Sequence, residues 1–206
     1  VPPEGVYFTR QYYTTFESMP ADLRGIIYCD PNLSKKGKGN TTAIVALAYS
    51  PKHDAYYIPS AVCRSFSDSN KLLDEILSLK MQYPFLQAIA FDGHVTQESS
   101  WTQHIRNYTL IRQRPFPVVH YQRFDVEALA KNAQMLYVAG QLRFPKSFSG
   151  TPDGERFIQQ LFAFTGRKLS ALDDAPDALI CAVEFIQHLN LSRKSHQPVR
   201  TVSDYY

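Results

Sequence analysis

The spacing of apolar residues changes along the chain and divides it into strands and helices. Residues 1–24 form a segment rich in aromatic and polar residues. Short apolar runs at 25–30, 41–50 and 55–64 then follow, each bounded by turn-forming residues, and predict three strands in an antiparallel meander. From capping residues at 67–69 to Pro84 the leucines and isoleucines recur at helical spacing, which predicts a helix.

Beyond Pro84, predicted strands alternate with predicted helices. The strands are expected at 86–94, 116–121 and 141–145, and the helices within 96–108 and at 125–139, 153–163 and 174–190. Gly140 is expected to end the second of these helices. A meander followed by this alternation predicts an α/β fold, with a mixed central sheet and helices on both faces.

Composition favours one globular domain. The chain has 206 residues, of which 44% are hydrophobic, enough for a core without disulfides. We expect one domain at 1–190 and a basic, poorly ordered tail at 191–206. The three cysteines lie in apolar segments without metal-ligand spacing, so we interpret them as buried free thiols in a reducing compartment. No apolar run is long enough for a transmembrane helix.

Basic residues are clustered, although the net charge is only +3. Clusters at 35–38, 106–114 and 193–200, beside the carboxylates described below, favour a nucleic-acid backbone as the partner. In the first cluster Lys35, Lys36 and Lys38 suit phosphate contacts, although a solvated loop is the alternative. His94 is either an exposed turn residue or a proton shuttle or phosphate contact. Lys131 either lies on a solvated helix face or steadies a scissile phosphate, and Trp101 is interpreted as core.

Two aspartates end apolar strands. Asp30 follows the run IIYC and Asp92 follows AIAF. Sites in open α/β sheets form at the carboxyl ends of strands, so both side chains can reach one crevice if the strands are neighbours. The alternative is that each aspartate only begins a turn.

The stretch LDDAPDALICAVEF at 172–185 places Asp173, Asp174 and Asp177 at the start of an apolar helix. Helix capping by Asp174 accounts for part of this pattern. Two like charges 4 Å apart repel by about 4 kcal/mol at an effective dielectric of 20, so gathering these carboxylates with Asp30 and Asp92 requires a proton or a cation. Ligands that are all oxygen suit Mg²⁺ or Mn²⁺, and two such ions form the clamp of many nucleases.

These segments resemble a known family. The order of an aspartate ending the first strand, a meander, a helix, an acidic residue ending a later strand and aspartates opening a C-terminal helix resembles ribonuclease-H-like nucleases. CDPNLSKKGKGNTTAIVAL, FDGHVTQESSW, KNAQMLYVAGQLRFP and LDDAPDALICAVEF are similar, in this order, to motifs of the C-terminal nuclease domain of the large terminase subunit of tailed phages. The resemblance covers roughly residues 5–190, and the last motif is the most specific.

The resemblance implies a set of site residues. Asp30 would be the central metal-bridging ligand and Asp92 the second, while Asp177 with Asp173 or Asp174 would supply the third. The chain departs from the family at Leu172, where His is frequent, and at 40–41, where an acidic residue is frequent. Its Lys-led motif also lacks the usual Arg. Which of the paired aspartates binds metal stays open.

The resemblance also implies a function. The expected activity is Mg²⁺- or Mn²⁺-dependent cutting of concatemeric viral double-stranded DNA during genome packaging, in the cytoplasm of the infected bacterial host. The expected partners are DNA, an ATPase motor domain, the small terminase subunit and the portal. The sequence has no phosphate-binding loop of the kind a motor needs, so we expect an isolated nuclease domain. The alternatives are a Holliday-junction resolvase or another ribonuclease-H-like nuclease, and a catalytically silent DNA-binding module.

Overall fold

A computed structural model describes residues 5–31, 41–92, 95–112, 118–121, 126–166 and 173–194. Its strands are β1 Thr14–Phe16, β2 Arg24–Asp30, β3 Thr42–Ser50, β4 Ala55–Arg64, β5 Leu86–Asp92, β6 Val118–Tyr121 and β7 Leu142–Pro145. Its α-helices are α1 Ser69–Gln82, α2 Val95–Arg112, α3 Val126–Val138, α4 Pro152–Ala163 and α5 Asp174–Lys194, with short 3₁₀ helices at Arg10–Tyr12 and Lys146–Gly150.

The strands form one mixed sheet in the order β1-β7-β4-β3-β2-β5-β6. Antiparallel pairing joins β2, β3 and β4, which confirms the predicted meander. The other pairs are parallel: β5 lies beside β2, β6 beside β5, β7 beside β4 and β1 beside β7. The connection from β2 to its parallel neighbour β5 passes through β3, β4 and α1, since parallel neighbours in a sheet require a crossover.

Helices cover both faces of the sheet. Along β2, Ile26 and Tyr28 belong to one apolar cluster, while Ile27 and Cys29 belong to another, because successive side chains of a strand point to opposite faces. The first cluster contains the buried residues of α3, α4 and α5, and the second contains those of α1 and α2. None of the helices in the described residues combines the length and apolar character needed to cross a membrane.

Helix α5 is the most deeply buried helix in the described part of the chain. All of its side chains from Ala175 to Val183 are buried, so no polar face is turned to solvent over the first half of the helix. It packs on β2 and β3 and is covered by α3 and α4. A helix with apolar residues on all sides is stable only when it is enclosed in this way.

The structure differs from the sequence prediction at the two ends of the chain. The N-terminal segment contains β1, which the sequence analysis missed because three residues show no usable alternation and the strand depends on pairing with β7. Helix α5 continues to Lys194, past the predicted end at 190. The remaining tail lies outside the described residues.

A substitution at Gly25 tests the close packing of β2 against β3. A Cβ atom there would lie 2.6 Å from the carbonyl oxygen of Leu47 and 2.8 Å from the Cβ of Ala48, both of which belong to β3. We expect Gly25→Ala to lower the free energy of unfolding by about 1–3 kcal/mol, since backbone cannot move aside as a flexible side chain can. Urea denaturation measures the change.

Gly150 is the matched control for this substitution. A Cβ atom there meets nothing within 4 Å. Gly150→Ala is expected to change the free energy of unfolding by less than about 0.5 kcal/mol. Equal effects of the two substitutions would contradict the packing described for β2.

Candidate functional site

Asp30 and Asp92 occupy equivalent places on adjacent strands. β2 and β5 are parallel neighbours in which Cys29 pairs with Phe91, and each aspartate is the next residue of its strand. Adjacent strands lie about 4.8 Å apart, so the two backbones end side by side. The neighbour relation on which the sequence argument depended is therefore present. The side chain of Asp92 lies outside the described residues.

Asp30 lies on the face of the sheet that α5 covers. Its pairing partner on β3 is Ala43, which belongs to the same apolar cluster as Tyr28, two positions before Asp30 on β2. Paired residues of antiparallel strands share a face, and so do residues two apart on one strand. Asp30 itself is half-buried.

Asp177 lies in the first turns of α5 and is only 4% exposed. It is the one buried Asp or Glu among the residues whose burial is described, and its Oδ1 atom is shielded from solvent. Burying a carboxylate is costly unless a hydrogen bond, proton or cation compensates it. A cation beside Asp177 would therefore lower the cost of burying its carboxylate.

The other two aspartates of the stretch have different surroundings. Asp173 precedes α5, and its carbonyl oxygen accepts from the Asp177 amide at 2.9 Å, which closes the first helical turn. Asp174 accepts two hydrogen bonds at Oδ2 from Thr41: one from its amide at 3.1 Å and one from its hydroxyl at 2.7 Å. Thr41 lies two positions before Ala43, the partner of Asp30, so α5 begins at the same end of the sheet as Asp30.

Gln160 completes the anchorage of α5. Its Oε1 accepts from the Ala175 amide at 2.9 Å, and its Nε2 donates to the Thr41 hydroxyl at 3.4 Å. Gln160 is on α4 and is 3% exposed. We call these four residues, Thr41, Gln160, Asp174 and Ala175, the α5 joint. It links the start of β3, α4 and the first turn of α5.

Sequence reasoning did not assign a role to Thr41 or Gln160. The signal for Thr41 was its position at the start of the second meander strand, where the resembling family often has an acidic residue. For Gln160 the signal was weak, since one glutamine in an amphipathic helix is ordinarily exposed.

The residues present fit a hard divalent cation. Among the side chains that the structure describes, no three His, Cys, Asp or Glu residues are grouped closely enough to hold a metal ion. Asp30 and Asp177 are among these side chains. The side chain of Asp92, an expected ligand, is not among them, because it lies outside the described residues. Carboxylate oxygens without sulfur or imidazole are typical ligands of Mg²⁺ and Mn²⁺, and a buried aspartate gains from the positive charge.

The expected phosphate-contacting residues are only partly described. Lys35, Lys36, Lys38 and His94 lie outside the described residues. Lys131 is exposed on α3. Its neighbour Asn132 donates to Gln187, which lies ten residues beyond Asp177 on α5, or about 15 Å along the helix axis. A phosphate contact by Lys131 stays a prediction.

Trp101 and the cysteines behave as the sequence indicated. Trp101 is 5% exposed and stacks on Phe91, with ring centroids 5.3 Å apart, so it is core. Cys29, Cys63 and Cys181 are buried free thiols. Burial raises the pKa of the Cys63 thiol from 9.0 to about 11, and its Sγ lies 3.6 Å from the Thr41 hydroxyl.

No family model matches the sequence, and no curated protein does. Comparison with solved structures does find relatives of the fold. The human cytomegalovirus terminase nuclease domain is 16% identical and superposes with a TM-score of 0.62, covering 86% of this chain and 94% of that one. The P22 large terminase nuclease domain is 16% identical, with a TM-score of 0.58 and coverage of 84% and 86%.

A third similar structure is the large terminase nuclease from the thermophilic phage G20c with bound magnesium. It is 14% identical, with a TM-score of 0.53 and coverage of 88% of this chain and 97% of that one. This chain has the fold of terminase nuclease domains. The predicted α/β, ribonuclease-H-like architecture is therefore confirmed, and the expected resemblance to terminase nucleases holds at the level of structure.

The thiols give a direct test of burial in and around the site. Because the pKa of Cys63 is raised to about 11, its reactive thiolate form is scarce at pH 8. We expect Ellman's reagent to detect almost no thiol in the native protein at pH 8, and three thiols per chain in 8 M urea. Rapid reaction of a thiol in the native protein, assigned to Cys63 by peptide mapping, would contradict the packing beside Thr41.

Proposed function

We propose that this chain is a metal-dependent endonuclease that cuts concatemeric viral double-stranded DNA during genome packaging, as the nuclease domain of a large terminase subunit. The observation that carries the proposal is the meeting of β2, β5 and α5. Asp30 and Asp92 end neighbouring parallel strands, and the helix that bears the buried Asp177 begins at the same edge.

Asp30, Asp92 and Asp177 would hold Mg²⁺ or Mn²⁺, with Asp173 as a further candidate, and we expect two ions. When bound, such ions lower the pKa of water and stabilise charge on the oxygens of a phosphodiester during hydrolysis. A structure of the human cytomegalovirus domain was obtained after soaking with manganese, and the G20c structure contains magnesium, which supports this choice of ion.

The chain's own residues contribute position and charge to the proposed reaction. Asp30 lies in the middle of the site because β2 is a central strand with β3 and β5 on either side. Asp177 is held in a rigid, enclosed helix, so its carboxylate keeps one place and bulk water is excluded on that side. Rigid carboxylates limit how far a bound phosphodiester and the attacking water can move.

The substrate and partners follow from the same proposal. Double-stranded DNA is the expected substrate, and its backbone would be contacted by Lys35, Lys36 and Lys38. The ATPase motor domain, the small terminase subunit and the portal are the proposed protein partners. A Holliday-junction resolvase remains the rival function with the same chemistry.

Plasmid cleavage tests the proposal. We expect the protein to nick and linearise supercoiled plasmid with Mn²⁺ at least as well as with Mg²⁺, and to be inactive in EDTA. Removing a residue that only supports a metal ligand typically lowers metal affinity or activity 10- to 100-fold. Asp30→Asn and Asp177→Asn change the proposed ligands themselves, so each should lower the cleavage rate by at least about 100-fold.

Glu17→Gln is the matched control, since it changes an exposed carboxylate paired with Lys146 and should leave the rate unchanged. Cutting that survives both site substitutions would contradict the proposed site. Preference for a four-way junction over plasmid would favour the resolvase instead.

A further inference from the structure

We infer that the α5 joint is a positioning device and that Asp174 serves it, so that Asp177 and not Asp174 is the helix residue that meets the metal and the DNA. The inference rests on the proposed function. It assigns roles to Thr41 and Gln160, and it separates two carboxylates that the sequence could not distinguish.

Asp174 already receives hydrogen bonds from the protein. Its Oδ2 accepts both hydrogen bonds that Thr41 donates, from the hydroxyl at 2.7 Å and from the amide at 3.1 Å. Hydrogen bonds to an ionised acceptor are among the stronger ones in proteins. The Asp174 carboxylate is therefore stabilised by hydrogen bonds from the residue that precedes β3, without a cation.

The hydrogen bonds of the α5 joint form a continuous chain from Asp174 through Thr41 and Gln160 to Ala175. The Thr41 hydroxyl has one hydrogen, which it donates to Asp174, and it accepts from Gln160 at 3.4 Å. The other end of the Gln160 amide accepts from Ala175, one of the amides that a helix start leaves without an intrahelical partner. The joint thus holds the first turn of α5 at two points, the Asp174 side chain and the Ala175 backbone amide.

Buried polar side chains are concentrated near the α5 joint. Among the described residues the buried polar or charged side chains are few, and two of them, Gln160 and Asp177, lie at this joint or one turn from it. Asp177 follows Asp174 by three positions, so the two occupy neighbouring places on the helix surface. A shift of α5 by one residue would turn Asp177 by about 100°. Fixing Asp174 therefore fixes the direction of Asp177.

Four variants probe the joint. Thr41→Val removes the hydroxyl at nearly constant shape, and Thr41→Ser retains it. Gln160→Met removes both amide hydrogen bonds at similar length. Gln187→Met is the matched control, because Gln187 also ties α5 to its surroundings, through Asn132 and Tyr56, but far from the site.

The first measurement is hydrogen exchange of the amides of Ala175 and Asp177 in metal-free protein. We expect exchange about 3- to 10-fold faster in Thr41→Val and Gln160→Met, the effect of losing one or two net hydrogen bonds. Thr41→Ser and Gln187→Met should exchange at the wild-type rate there. Unchanged exchange in both Thr41→Val and Gln160→Met would overturn the inference.

The second measurement is Mn²⁺ affinity by calorimetry. Supporting residues of metal ligands typically contribute 10- to 100-fold, so Thr41→Val and Gln160→Met should bind about 10-fold more weakly, with Thr41→Ser restored and Gln187→Met unchanged. Asp174→Asn can still accept from Thr41 and should lose no more than about 10-fold. Asp177→Asn should lose all detectable binding. Equal, complete loss in Asp174→Asn and Asp177→Asn would overturn the inference, since Asp174 would then be a ligand.

The two measurements separate this inference from the proposed function. Wild-type protein that neither binds Mn²⁺ nor cuts DNA would contradict the proposed function, and the exchange rates would still decide whether the joint holds α5. Metal-dependent cutting by the wild type together with undiminished Mn²⁺ affinity in Thr41→Val and Gln160→Met would overturn the positioning role alone.

Discussion

The packing of α5 on β2 and β3 is the constraint on which the candidate site depends. The first half of this helix is enclosed on all sides, and it rests on the sheet face where Asp30 lies. Such a helix gains much of its stability from apolar contacts, which are non-directional. The hydrogen bonds of the α5 joint add a directional constraint at the helix start.

Environment gives the three aspartates of one short stretch different properties. Asp173 contributes a backbone carbonyl to the first helical turn, Asp174 accepts hydrogen bonds from Thr41, and Asp177 is buried. The repulsion expected among three adjacent carboxylates is thereby reduced, because one is already balanced by hydrogen bonds from the protein.

Sheet topology places the aspartates that end β2 and β5 on adjacent strands. The aspartates that end β2 and β5 are about sixty residues apart in the chain, yet the parallel pairing of the two strands sets them side by side. Parallel neighbours need a crossover, which here passes through β3, β4 and α1. The meander places β3 beside β2, on the side opposite to β5. There β3 contacts α5.

The sequence by itself determined most of the elements and the face that each one buries. Alternation and helical spacing are local properties, so the bounds of β3, β4, α1 and α4 agree with the prediction to within a few residues. The aspartates at strand ends were also visible. These features depend only on residues close together in the chain.

Only the tertiary structure decided the order of the strands, the pairing of β1 with β7 and the separate roles of Asp174 and Asp177. Thr41 and Asp174 are 133 residues apart, and Thr41 and Gln160 are 119 apart. A threonine before a strand and a glutamine in an amphipathic helix have no local pattern that indicates such a contact. They acquire their roles because the packing of α4 and α5 on the sheet brings these distant groups within hydrogen-bond distance.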